Sequence, residues 1–139
     1  MVSRADRFTE RGKRVELYSD FLIDFDRNPV TGNLARATDE TAVKNSIKNI
    51  VLTSQKSWPF EPTLGSKAHD VTFEPADIIS LEVLKETIAQ AIQNNEPRAR
   101  LISVQTNIDD DGNATATITF ATLNSSTPVR VDVFLRRVR

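Results

Sequence analysis

Glu96, Pro97 and Arg98 set a carboxylate and a guanidinium two residues apart with a rigid ring between them. A guanidinium is a planar fork of donors and a carboxylate offers two acceptors, so the chemistry available is bidentate ionic recognition. Pro97 has no N–H, cannot continue a helix, and pushes Glu96 toward an extended conformation. Residues two apart in an extended segment share a side, so Glu96 and Arg98 are expected to project together as a stiff polar tooth. A tripeptide of this kind, taken alone, is more often a local ion pair that stops a helix.

Other chemistry is poorly supported. Glu74 with Asp77, or Glu82 with Glu86, could form a carboxylate pair, but nothing fixes two carboxyls across a sugar bond as glycoside hydrolysis needs. A sugar cleft also favours aromatic platforms, and the chain has one Trp and one Tyr. Asp109, Asp111 and Asn113 resemble the start of a calcium loop, yet the glycine expected next is missing and Phe120 stands where the twelfth-position acid belongs. The segment reads as a hairpin tip. His69 is the only histidine, too few for a multi-histidine metal site or a triad with a visible nucleophile motif. No glycine loop suited to phosphate is present. No cofactor is expected. Arg136, Arg137 and Arg139 make the C-terminus basic, either as a solvated end or as a match for an acidic partner.

The elements that must position these groups follow from periodicity. Phe21, Ile23 and Phe25 alternate with polar residues across residues 18–26 and predict a short strand with one apolar face. Asn28-Pro29 and Gly32-Asn33 mark turns. Val43, Ile47, Ile50 and Val51 form a helical stripe in a helix capped at Thr38 or Asp39 and running to about Leu52. Residues 53–77 read as loop, with Trp58 balanced between core and exposed anchor and Phe60 expected to plug the core. Leu81, Leu84, Ile88 and Ile92 predict a second helix, capped at Asp77 or Ser80 and ending at Asn94-Asn95.

The period then switches to two. Ile102, Val104 and Ile108, then Ala114, Ala116, Ile118 and Phe120, then Val129, Val131, Val133 and Leu135 alternate with polar or outward residues. Turn signals at residues 109–113 and 124–128 join them into an antiparallel meander with one face toward the helices. The last strand lies at one end of such a meander, and an unpaired edge can accept a strand from another chain.

The totals set the frame. A chain of 139 residues suits one domain with a modest core. Hydrophobic residues make up 39% and charged residues 27%, ordinary for a soluble globular protein. A formal net charge of −1 argues against nucleic-acid binding by bulk charge. The absence of cysteine excludes disulfides and thiolate metal sites and suits assembly in a reducing cytoplasm. No apolar run approaches membrane-spanning length, and the charged N-terminus lacks a signal core. Residues 1–17, with Arg4, Arg7, Arg11, Lys13 and Arg14 set against Asp6, Glu10 and Glu16, read as a flexible or partner-ordered arm before one domain at 18–139.

The order of features resembles a known family. Tyr18-Ser19-Asp20, Gly32-Asn33-Leu34, Ala42-Val43-Lys44-Asn45-Ser46-Ile47, Pro59-Phe60-x-Pro62-x-x-Gly65-Ser66, Phe73-Glu74-Pro75 and Glu96-Pro97-Arg98 follow one another as in the small wedge subunit of contractile tail baseplates, the sheath-initiator family. The family occurs in phage tails and in type VI secretion baseplates, and some members carry a lysozyme label. The resemblance runs from about residue 18 to about residue 135 and implies an α+β fold. In that fold an N-terminal strand and two main helices pack on a C-terminal three-stranded antiparallel meander.

The resemblance also implies a function. The expected role is a non-enzymatic virion component, assembled in the host cytoplasm, that starts sheath polymerisation. Glu96, Pro97 and Arg98 become the contact to baseplate wedge scaffold proteins. The edge strand of Val129, Arg130, Val131, Asp132, Val133, Phe134 and Leu135 becomes the template for strand pairing with the tail sheath protein. The arm becomes a contact to tube or other wedge components. Neither nucleic acid nor membrane is an expected partner. A phage origin is favoured over a secretion system. The alternatives are a cell-wall glycosidase and an adaptor that binds the tail tube.

Overall fold

The computed structural model describes residues 16–72, 77–109 and 113–136. Within them run β1 (Ser19–Phe21), β2 (Arg36–Thr38), α1 (Asp39–Leu52), α2 (Ala68–Val71), α3 (Ile78–Asn95), β3 (Ala99–Ile108), β4 (Ala114–Thr122) and β5 (Ser125–Leu135). The fold is α+β, with a small β1–β2 pair and a three-stranded antiparallel sheet ordered β3-β4-β5.

The helices form where their stripes can be buried. Val43, Ile47 and Val51 of α1 and Leu84, Ile88 and Ile92 of α3 join Ala116, Ile118, Phe120, Val131 and Val133 of the sheet in one core cluster. Burying each large aliphatic side chain contributes roughly 1.5–3 kcal/mol before entropy is charged. Asp77 is the N-cap of α3 and accepts from the Ser80 N–H at 2.8 Å. That backbone hydrogen bond, with help from the Ser80 hydroxyl, holds the Asp77 carboxyl below its ordinary value. Leu81, expected in the stripe, is only partly buried, and its carbonyl accepts from the Thr106 hydroxyl at 3.2 Å.

Several expectations are corrected. The first strand covers three residues rather than nine, because Phe25 N–H turns back to the Leu22 carbonyl at 3.1 Å and Phe25 adopts φ 53°. Its partner is β2, a strand too short to announce itself by alternation. Phe21, Ile23 and Phe25 do not face the core: they are 51%, 47% and 67% exposed. Phe60 does not plug the core but stands 96% exposed, and Trp58 is also exposed. The segment between the helices contains α2, and Ile102 leaves the inward row because a register shift between Leu101 and Ser103 displaces it.

The loop after α1 is held by Ser66. Its hydroxyl donates to the Val51 carbonyl at 2.8 Å, its N–H donates to the Thr53 carbonyl at 2.8 Å, and Ala68 N–H donates to its hydroxyl at 3.2 Å. Gly65 makes this approach possible at φ +102°, with an added Cβ falling 2.4 Å from the Thr53 carbonyl oxygen. Gly65→Ala is therefore expected to lower stability by about 3 kcal/mol, read as a shift in the urea midpoint. An unchanged midpoint would show that the loop can move away from α1 freely.

Candidate functional site

Glu96 ends α3: its φ and ψ of −126° and 81° leave the helix while its N–H still donates to the Ile92 carbonyl at 2.8 Å. Ala99 N–H then donates to the Glu96 carbonyl at 3.2 Å. The segment is thus a turn with Pro97 at its second position, where a fixed φ near −65° is favoured, rather than an extended run.

The turn still brings the two charges together. Arg98 Nε donates to Glu96 Oε1 at 2.7 Å and its terminal nitrogen to Oε2 at 2.7 Å, a full fork, and Arg98 N–H donates to Oε1 at 3.3 Å. Glu96 is only 2% exposed, so this carboxylate faces inward rather than projecting as a tooth. Pro97 is exposed and Arg98 half-buried. The guanidinium also lies over the Tyr18 ring, 5.5 Å from its centroid. The Arg98 carbonyl accepts from Leu123 N–H at 3.2 Å, in the turn between β4 and β5. One residue thus joins the end of α3, the base of β1 and the far end of the sheet.

Burial pushes the Glu96 carboxyl up, but hydrogen bonds from Arg98 and from the Ser46 hydroxyl of α1, with the charge of Arg98, outweigh it and leave the group below its ordinary value. The Glu96 hydrogen bonds hold Arg98 protonated against its own burial, aided by the charge of Glu96 and then of Asp20. A depressed carboxyl pKa contributes stability that is present above the unfolded value, 4.5, and lost as pH falls through the folded value. Wild type is therefore expected to lose more stability than Glu96→Gln between pH 6 and pH 3 (about these bounds). Equal slopes in urea titrations at several pH values would remove the pair from the acid response.

The second sequence-derived surface is β5. Val129, Val131, Val133 and Leu135 are buried against the helices, while Arg130, Asp132 and Phe134 face out. The pairing with β4 runs unbroken from Phe120↔Val129 to Ala114↔Leu135, and β4 is the only strand beside β5 among the described residues. On the outer face the Thr117 hydroxyl donates to Asp132 at 2.7 Å, and Arg130 approaches the same carboxylate at 3.4 Å. The Thr117 hydrogen bond, against slight burial and followed by the charges of Arg130 and Lys48, holds Asp132 below its ordinary value.

The remaining candidates separate. Asp77 is used as a cap, and Glu82 pairs with Lys85 at 3.2 Å on the exposed face of α3. His69 lies in α2. Asp109 accepts from Asn113 N–H at 2.8 Å and closes the β3–β4 hairpin, as expected of a tip. Asp111, the Phe73-Glu74-Pro75 segment, residues 1–15 of the arm and Arg137 to Arg139 lie outside the described residues. Among the described residues no group of three or more His, Asp or Glu is placed to hold a metal ion, and no helix is long and apolar enough to cross a membrane. Sequence reasoning missed Tyr18 and Ser46 as partners of the pair. No spacing signal links residues so far apart in the chain.

Comparison with known proteins gives a consistent set. A family model described as baseplate wedge protein gp25 matches residues 37–126. The baseplate wedge protein gp25 of Enterobacteria phage T4 is 28% identical over 93 residues, covering 64% of this chain and 67% of that protein. A crystal structure from Geobacter sulfurreducens, provisionally named a tail lysozyme, superposes with TM-score 0.62 at 21% identity over 70% of this chain and 91% of that one. A chain of the anti-feeding prophage baseplate superposes with TM-score 0.60 at 20% identity over 87% of each. At these identities the two structures speak for the fold alone.

Proposed function

Because the chain belongs to the gp25 family of baseplate wedge proteins, we propose that within the baseplate it is a non-enzymatic joint between the wedge scaffold and the first ring of sheath. The coarse role follows from membership: a structural component of a contractile-tail baseplate, in the virion, beside other wedge proteins. The finer role assigns two contacts. The Glu96-Pro97-Arg98 turn meets the scaffold through Pro97 and the exposed part of Arg98, with Glu96 acting from beneath to hold the guanidinium in place. The free edge of β5 accepts an extended arm of the sheath protein, main-chain hydrogen bonds giving affinity and the alternating side chains giving register. Residues 1–17 reach tube or other wedge components.

The observation that carries the sheath contact is the β5 register, unbroken from Val129 to Leu135, beside one strand only among the described residues. A glycosidase reading is disfavoured by the carboxylates themselves. A glycosidase needs two free carboxyls facing one cleft, whereas Asp77 caps α3, Glu82 pairs with Lys85 on an exposed helix face, and the buried Glu96 is forked to Arg98.

Purified baseplates formed with and without the protein, viewed by electron microscopy after addition of sheath subunits, test the reading. Baseplates lacking it are expected to form and to carry no sheath. Normal sheath on such baseplates would leave the adaptor reading, tested by cross-linking to the tube.

A further inference from the structure

The β1–β2 hairpin carries a surface that neither contact above uses. Phe21, Ile23, Phe25, Val30 and Leu34 are 51%, 47%, 67%, 91% and 45% exposed. So much apolar area on one short hairpin is unusual for a surface that meets only water, and exposed aromatic side chains are common anchors at protein interfaces. Phe25 is also held at φ 53°, a backbone region that a phenylalanine rarely occupies. Charge accompanies the apolar groups. Across residues 16–38 the acids Glu16, Asp20, Asp24 and Asp26 outnumber the bases Arg27 and Arg36, and Asp24 and Asp26 flank the exposed Phe25 directly. Among the described residues, neither Asp24 nor Asp26 joins an ion pair. The family match begins at residue 37, so the hairpin from β1 to Arg36 precedes it, and only the last two residues of β2 fall inside.

We propose that the hairpin is a docking element for another baseplate protein, seated in an apolar socket rimmed by lysine or arginine. Charge selects the occupant. Anionic lipid and nucleic acid would be repelled by the two aspartates around Phe25, and a second copy docked Phe25 to Phe25 would bring Asp24 and Asp26 against their own kind. A basic protein rim pairs with Asp24 and Asp26 while the socket covers Phe25 and its apolar neighbours. The inference rests on the chain's place in a baseplate and not on the Arg98 or β5 contacts.

The test places a photoreactive residue at Phe25 in purified baseplates. The expected adduct is with a different baseplate protein, on a segment where lysine or arginine flanks apolar residues. An adduct with residues 1–15 of the same chain, an adduct with a second copy, or no adduct overturns the proposal. A second arm uses the exposed double substitution Asp24→Lys and Asp26→Lys, with thermal unfolding as the folding control. Its occupancy in baseplates is expected to fall about tenfold and to recover when the partner residue found in the adduct is reversed in charge. Unchanged occupancy overturns the proposal. Failure of the scaffold reading is distinguishable: Arg98→Lys would then assemble normally while the hairpin variant does not.

Discussion

Arg98→Ala is expected to lower stability by about 2–4 kcal/mol and to reduce occupancy in assembled baseplates. The first effect comes from the partner left behind. Glu96 is 2% exposed and takes a full fork from Arg98, so truncation strands a buried carboxylate with the Ser46 hydroxyl as its remaining side-chain donor. Breaking a buried pair by removing one member costs about 3–5 kcal/mol, and the 32% exposure of the Arg98 side chain places this pair toward or below the lower end. The tie between the guanidinium and Tyr18 is lost as well. Urea unfolding reads the stability change directly, and a loss under about 1 kcal/mol would mean that water replaces the guanidinium at Glu96.

This expectation changes the logic of the interface test. A tooth projecting from an extended strand would let Arg98→Ala weaken docking with the fold intact. The observed turn makes Arg98 structural and exposed at once, so lost occupancy in that variant has two possible causes. Arg98→Lys keeps the charge but not the planar fork, and the Glu96→Gln, Arg98→Ala pair removes the stranded charge. If the double variant regains stability without regaining occupancy, the exposed guanidinium is the docking group. If both return together, the loss was one of folding.

What the sequence carried, and what it hid, divides by the range of the interactions. Both long helices and the inward rows of β4 and β5 were readable because each repeats one rule over several residues. Val129, Val131, Val133 and Leu135 are buried as their period demands. The Glu96–Arg98 pair was also readable, though by a faulty route: the turn, not an extended segment, brings the groups together. The pairing of β1 with β2 was not, since three residues cannot establish a period. Ile102 was misread because one register shift moves it off the inward row. Phe60 was misread because hydrophobicity says what a side chain gains by burial, not whether a loop with three prolines can deliver it. Tyr18 and Ser46 lie too far from Arg98 in sequence for any local rule to join them to it.

The largest effect on assembly is expected at the β5 edge, and the ladder itself supplies the test. Along a strand paired on one side, alternate residues turn N–H and C=O toward the neighbour while the others turn them away. Between residues 129 and 135, one alternating set of amides is therefore expected to exchange quickly in the free protein, with the other set slowed by β4. Binding of the sheath protein's arm should slow the fast set by about a hundredfold or more and leave the slow set little changed. The fast set then shows where a proline can stand without breaking the β4 ladder. At such a site, for example Asp132 if its amide is fast, the substitution removes an outward donor from an exposed residue and is expected to stop sheath growth while unfolding stays cooperative. The Val131 and Val133 positions are poorer choices, because both side chains are buried in the core and proline there would remove packing as well. Slowing along β3 instead of β5 would move the template to the opposite edge of the sheet. Slowing on neither edge would leave the sheath to be started by some surface other than an open strand.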